Sequence, residues 1–255
     1  MKFKTLVMLS LFSTLGWAQE SQSTNELHLS SYAGGGLWSD GERSSENYSS
    51  FNRAWTLRFN RQSAQRSFWS ISLDAAGGRL REDIEASQDL AFMQFKAKAA
   101  YGLALIKTEN FRFNAGLQFQ SFSRIISENE SFKEDEPFQH FSRQGLDLRL
   151  GAVYNLEKLS FRADVAVPIV SYVDLSAPAA NSNLSDVLLE RVFGNLEYVG
   201  WHQYFATDLS AEVHYSLSSW FALSAHLKAD MHIMNEENDF AFSDAQFGIG
   251  ANFKF

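Results

Sequence analysis

Successive residues of a β-strand point to opposite faces of its sheet, so sustained apolar–polar alternation commits a chain to strands with two unlike faces. This sequence alternates for most of its length. From 93 to 105 the odd positions are Met93, Phe95, Ala97, Ala99, Tyr101, Leu103 and Leu105, while the even ones include Gln94, Lys96, Lys98 and Gly102. Phe111, Phe113, Ala115, Leu117 and Phe119 are separated in the same way from Arg112, Asn114, Gly116, Gln118 and Gln120. The pattern recurs across 146–154, 159–169, 221–231 and 244–255, and more weakly near 26–38, 51–61, 67–76 and 203–216.

About ten strands result, many longer than the roughly 5–6 residues usual in soluble sheets. They reach the ~9–11 residues that a tilted strand needs to cross a bilayer. Short connections fall near 62–65, 107–110, 155–158 and 216–219, and long polar ones near 39–50, 79–87, 127–137, 174–200 and 235–242. Strict long–short alternation with an even strand count predicts an all-β fold, a transmembrane antiparallel up-and-down β-barrel with short periplasmic turns and long outer loops. A secreted, lipocalin-like soluble carrier would alternate too, with its apolar face inward. Whole charges of both signs in mid-strand, such as Arg58, Asp74, Lys96, Arg112, Asp147 and Glu212, instead suit a hydrated or ion-paired lumen.

The composition agrees with such a wall. The chain has 23 Phe, 6 Trp and 8 Tyr, yet its mean hydropathy is −0.23, so the rings are scattered among polar residues. Trp38, Trp69, Tyr154, Trp201, Tyr215 and Trp220 fall where interfacial girdles are expected. A net charge of −8 argues against a nucleic-acid partner, and the absence of Cys excludes disulfide and zinc–thiolate scaffolds. No cofactor and no metal are expected from six scattered His.

Met1 to Ala18 has a basic start (Lys2, Lys4), an apolar middle and a small-residue close, the pattern of a secretory signal peptide. Residues 19–255 are then the barrel domain. At the other end, Gly250-Ala251-Asn252-Phe253-Lys254-Phe255 resembles the terminal-strand assembly signal of Gram-negative outer-membrane β-barrel proteins, with aromatics at the third-last and last positions. The resemblance rests on Gly250, Phe253 and Phe255. It implies periplasmic chaperones and the barrel-assembly machinery as partners during biogenesis, and residence as a monomer among outer-membrane lipids.

A narrow ten-stranded barrel is expected to fill its lumen with side chains. Asp208, Lys228, Arg149, Arg162 and Asp164 are predicted to form lumen ion pairs. A turn centred near Leu217 and Ser218 would set Asp208 opposite Lys228 and Ser210 opposite His226. Two constellations could carry hydrolysis. Ser210, His226 and Glu212 supply the elements of a nucleophile, a base and an orienting carboxylate, facing a lumen that lipid does not reach. Asp230 and His232, near the outer end of their strand, resemble the Asp and His pair of the omptin surface proteases. They lie on the wrong strand for that family, and Asp83 with Glu82 and Glu85 is a loose substitute for its opposing Asp pair. The expectation is therefore a non-enzymatic barrel with a structural, surface-interaction or narrow-pore role, and an omptin-like or other outer-membrane hydrolase is its rival.

Within the longest loop, Leu184, Leu188, Leu189, Val192 and Phe193 share one face at helical spacing, with Ser185 as N-cap and Gly194 as stop. They predict a short amphipathic helix at the barrel mouth.

Overall fold

A computed structural model of the protein describes residues 23–40, 47–63, 66–82, 90–127, 138–176, 197–201, 203–234 and 240–255. The predicted signal segment 1–18 and the predicted loop helix 184–193 lie outside the described residues.

The described chain is all strand and turn: β1 (Thr24–Asp40), β2 (Asn47–Gln62), β3 (Ser67–Glu82), β4 (Leu90–Lys107), β5 (Phe111–Ser127), β6 (Phe138–Leu156), β7 (Leu159–Ser176), β8 (Glu197–Val199), β9 (Tyr204–Ser216), β10 (Phe221–Met234) and β11 (Phe240–Lys254). Neighbouring strands pair antiparallel around a ring that β1 and β11 close. The short β8 pairs with β7 at Ser171 to Val173, and β9 pairs with β7 from Leu159 to Ala166. These two strands together fill one position, so the barrel has ten walls.

Closure leaves no strand edge to lipid, which a bilayer requires because it offers the backbone no hydrogen-bond partner. The outer face is apolar: Phe51, Trp55, Leu57, Leu73, Phe95, Leu117, Leu227 and Ile249 are all exposed there. The inner face holds His28, Arg58, Lys96, Arg143, Glu212 and Asp244, all but Arg58 fully buried. A soluble carrier would have these faces reversed. An apolar exterior around a closed sheet is stable only in lipid, and it overturns the lipocalin-like alternative.

The strands extend past the alternating cores at the long-loop end, to between 13 and 19 residues apart from β8. Two details depart from the expected pattern. Trp38 does not join a girdle. It shares the even parity of His28 and Tyr32 on β1, points inward, and is 1% exposed. The turn between β9 and β10 spans four residues, with Leu217 N and Ser218 N donating to Phe221 O at 3.0 and 3.1 Å. Its centre lies one residue further along than predicted, so every partner shifts by two. Asp208 faces Asp230, Lys228 faces Ser210, and His226 faces Glu212.

Candidate functional site

The chemistry-bearing side chains converge in the lumen, in tiers. Nearest the short turns, the Arg58 guanidinium on β2 reaches β9 and donates twice to Glu212, at 2.5 and 2.7 Å. Glu212 also accepts from His214 Nε2 at 3.0 Å. His28 and His226 share a hydrogen bond between their Nε2 atoms at 3.1 Å, with Ser224 Oγ 2.8 Å from His226 Nε2. Arg162 donates to Glu26 across the lumen at 3.3 Å.

The middle tier is an ion lattice. Lys96 on β4 lies 2.7 Å from Asp230 and 3.5 Å from Asp208, and Lys98 pairs with Asp208. Lys228 donates to Asp74 on β3 and to Thr56 on β2, each at 2.7 Å. Arg149 holds Asp164 at 2.9 Å and donates to Ser70 at 2.9 Å. Taking single charges out of water costs several kcal/mol each, a cost that interlocked opposite charges offset.

Above the lattice, polar and aromatic groups interleave. The Arg124 guanidinium lies 4.4 Å from the Phe92 ring and 4.7 Å from Phe242, with Asp244 at 3.6 Å. His232 stacks on Phe242 at 4.2 Å and meets the Tyr204 hydroxyl through Nδ1 at 2.5 Å. Towards the long-loop end, buried Trp38, Leu80, Leu90, Phe122, Phe141 and Met234 belong to one apolar cluster. The voids lining the lattice amount to about 20 and 40 Å³, room for a few waters and no more.

Of the predicted lumen ions, Arg149 and Asp164 meet. Asp208 and Lys228 do not pair with each other: the turn, centred one residue further along, sets Asp208 against Asp230, so Asp208 takes Lys96 and Lys98, and Lys228 crosses to Asp74. Arg162 finds Glu26, on a strand that periodicity alone could not assign to it. Asp230 and His232 are two residues apart on one inward face, with Asp230 held by Lys96 and His232 2% exposed beneath the apolar cluster. Ser210 faces Lys228 instead of His226.

The serine beside His226 is Ser224, its neighbour on the same strand face. An i, i+2 relationship could have suggested it. His226 Nδ1 is 3.6 Å from Glu212, beyond hydrogen-bond reach. Ser224, His226 and Glu212 are 7%, 2% and 2% exposed. The backbone around Ser224 is paired on both sides, with β9 and β11, which commits the amides an oxyanion would need. Among the described residues no group of three or more His, Asp or Glu is arranged to hold a metal ion.

Phe253 and Phe255, from the terminal motif, sit in an aromatic collar at the short-turn rim. Phe253 lies 5.4 Å from Phe221, and Phe59 lies 6.3 Å from Phe255 and 5.1 Å from Trp69. Gly250 faces Ser30 on β1.

No protein-family model matches the sequence, and no curated protein matches it. Solved structures do match. The outer membrane protease OmpT from Escherichia coli is similar over 95% of this chain and 100% of its own, with a TM-score of 0.55 at 8% identity. The translocator domain of the autotransporter NalP from Neisseria meningitidis covers 99% of this chain and 95% of its own, with a TM-score of 0.43 at 11% identity. Ail, the attachment invasion locus protein of Yersinia pestis, covers 92% and 100%, with a TM-score of 0.36 at 9% identity. The first of these carries the comparison, and at its identity the likeness is one of fold.

The molecule is thus a transmembrane β-barrel: closed, antiparallel, ten-walled, apolar outside and charged within. Barrels of this build reside in the outer membrane of Gram-negative bacteria, and that is the location of this chain.

Proposed function

We propose that the protein is a plugged outer-membrane barrel that serves the envelope structurally and holds its outer loops at the cell surface, without conducting solutes and without catalysis. The observation that carries this reading is the filled lumen, with an ion lattice roofed by the apolar cluster around Phe122 and Trp38. A conducting barrel of this class keeps a polar, water-filled path. The engagement of Asp230 by Lys96, and of His232 by Tyr204, supports the non-enzymatic half of the reading.

The test is electrical. Purified full-length protein reconstituted in planar lipid bilayers should give a flat current trace under steady voltage, and its liposomes should not swell in small sugars. Sustained single-channel steps from the wild-type protein would replace this reading with that of a narrow pore.

The same reading includes delivery by periplasmic chaperones and the barrel-assembly machinery, and a monomeric final state. Phe255 is the handle for it, being 69% exposed while its backbone is tied to Asn25. Phe255→Ser should lower outer-membrane insertion in cells and leave refolding in detergent intact. Equal insertion of the two proteins would remove Phe255 as a signal.

A further inference from the structure

Charge is balanced along the lumen except at its short-turn mouth. Every inward carboxylate whose side chain is described takes a cation, from Glu26 with Arg162 near the short turns to Asp244 with Arg124 towards the long loops. Two inward cations, Arg112 on β5 and Lys254 on β11, take part in none of these pairs, and both stand at the short-turn ends of their strands. Lys254 is opposite Glu26 in the β1–β11 pairing, but Glu26 already accepts from Arg162 at 3.3 Å. Arg112 is in register with Lys107 on one side and Val153 on the other, with Arg162 next beyond Val153, so its neighbours along the wall bring no carboxylate. β5 and β11 are five places apart in a ring of ten, so the two cations approach the barrel axis from opposite walls.

Their level is that of the aromatic collar. Lys254 separates Phe253 from Phe255, and Asn60, next to Phe59, faces Glu26. In a barrel of this build that is the periplasmic interface, within reach of solutes dissolved there. Polar atoms at the same end are left over as well. Arg112 Nε and Asn60 Nδ2 are buried donors without a partner, and Asn114 Oδ1, on the same face of β5 as Arg112, is a buried acceptor without one. Buried polar groups left unpaired destabilise a fold, and a surplus of donors and positive charge is what an anion would satisfy. Hydrogen phosphate fits this set. Its double charge matches the two spare cations, its oxygens accept from guanidinium, ammonium and amide, and its hydroxyl can donate to Asn114.

We propose that the short-turn mouth of the lumen binds a phosphate group, free or carried by a small periplasmic solute, between Arg112 and Lys254 with Asn60 and Asn114 at its sides. The ligand enters from the periplasm and leaves the same way, so the site does not depend on whether the barrel conducts.

The experiment is isothermal titration calorimetry of the full-length protein in detergent micelles with sodium phosphate, glycerol phosphate, sodium sulfate or sodium chloride, all at one ionic strength. Phosphate should bind saturably at a single site, and chloride should give no saturable heat. Sulfate, which has no hydroxyl to offer Asn114, should bind about tenfold more weakly. Arg112→Gln and Lys254→Gln should each weaken phosphate by about tenfold, the loss of one charge-assisted hydrogen bond. Arg61→Gln, which removes the same charge from the outward side of the same rim, should leave binding in place. Glycerol phosphate binding as tightly as phosphate would support the proposal with a phosphate ester as ligand, and its exclusion would support it with the free ion. Equal responses to phosphate and chloride would overturn the proposal in favour of charge screening at the rim. Equal affinity for sulfate would overturn it in favour of an unselective anion site, and unchanged affinity in Arg112→Gln would move the site elsewhere. The salts are compared on wild-type protein alone, so they decide the matter even where a variant fails to fold.

Discussion

Arg58 and Glu212 are joined by two hydrogen bonds of 2.5 and 2.7 Å, although their strands, β2 and β9, are not neighbours in the ring. The pair is a strut across the lumen. Glu212 gathers His214 onto the same carboxylate, so the strut also positions part of the histidine cluster.

Removing one end of this strut should be far worse than removing both. Arg58→Met leaves Glu212 buried without its main partner and is expected to cost about 3–5 kcal/mol. Arg58→Met combined with Glu212→Leu should recover most of that loss, because neither charge then has to be kept out of water. Urea unfolding of vesicle-reconstituted protein reads both. A single variant that loses less than about 1 kcal/mol would show that the strut is dispensable.

The apolar cluster should be the barrier to ions. Phe122 is fully buried, with its ring 4.8 Å from His232 and 5.6 Å from Phe242. Phe122→Ala should cost about 3–5 kcal/mol through the cavity it leaves. Together with Leu80→Ala it should turn a silent bilayer trace into a fluctuating one. A double variant that folds and stays silent would place the barrier deeper, in the lattice around Lys96.

Gly248 should tolerate no side chain. A Cβ there would lie 2.4 Å from the Tyr32 ring, which faces Gly248 across the β1–β11 pair and lies 4.4 Å from the Lys228 ammonium. Gly248→Val would push Tyr32 off Lys228 at an expected cost of about 1–3 kcal/mol. A Cβ there would also lie 2.6 Å from the Ser31 carbonyl oxygen, so a Tyr32→Ala background should relieve only part of the loss, and complete rescue would show that the backbone gives way freely.

Incubated with peptides or with outer-membrane lipids, the protein is expected to release no product above background. Asp230→Asn, His232→Ala and Ser224→Ala should be indistinguishable from wild type. Wild-type cleavage abolished by the first two changes would establish the omptin-like reading. Cleavage lost only with Ser224→Ala would point to the serine beside His226.

The walls of this barrel could be read from the sequence because each apolar residue in its strands answers to a single local rule. Met93 to Leu105 alternate on β4 where the exterior meets lipid. The rule fades at the outer ends, where polar outward residues such as Ser49 and Ser123 sit level with inward ones such as Asn52 and Arg124, and there the strands run longer than their alternation. It slips at Ile169, an extra residue between the Leu146–Val170 and Asp147–Pro168 partners. The lumen was less legible. Arg149 and Asp164 lie on adjacent strands joined by a two-residue turn, and such pairs can be counted out. Arg162 with Glu26, or Lys228 with Asp74, are set by the curvature of the whole ring. Asp208 faces a residue two places from the expected one because a turn centred at 218 and one centred at 219 look alike in a run of Leu217, Ser218 and Ser219.

The lattice also constrains how the barrel comes into being. Arg58 with Glu212, Arg162 with Glu26, and Arg124 with Asp244 each bridge strands four or five positions apart in the ring, which face one another across the lumen only once β1 has met β11. An unzipped sheet would carry these charges along one side without their cross-lumen partners, with only Arg162 and Glu212 facing each other on adjacent strands, a burden the hydrocarbon layer refuses. Joining the first strand to the last is therefore the step that makes the interior habitable. The seam and the strut should form together or not at all, so that insertion runs as a single cooperative event and partly closed rings stay waterlogged at the membrane surface.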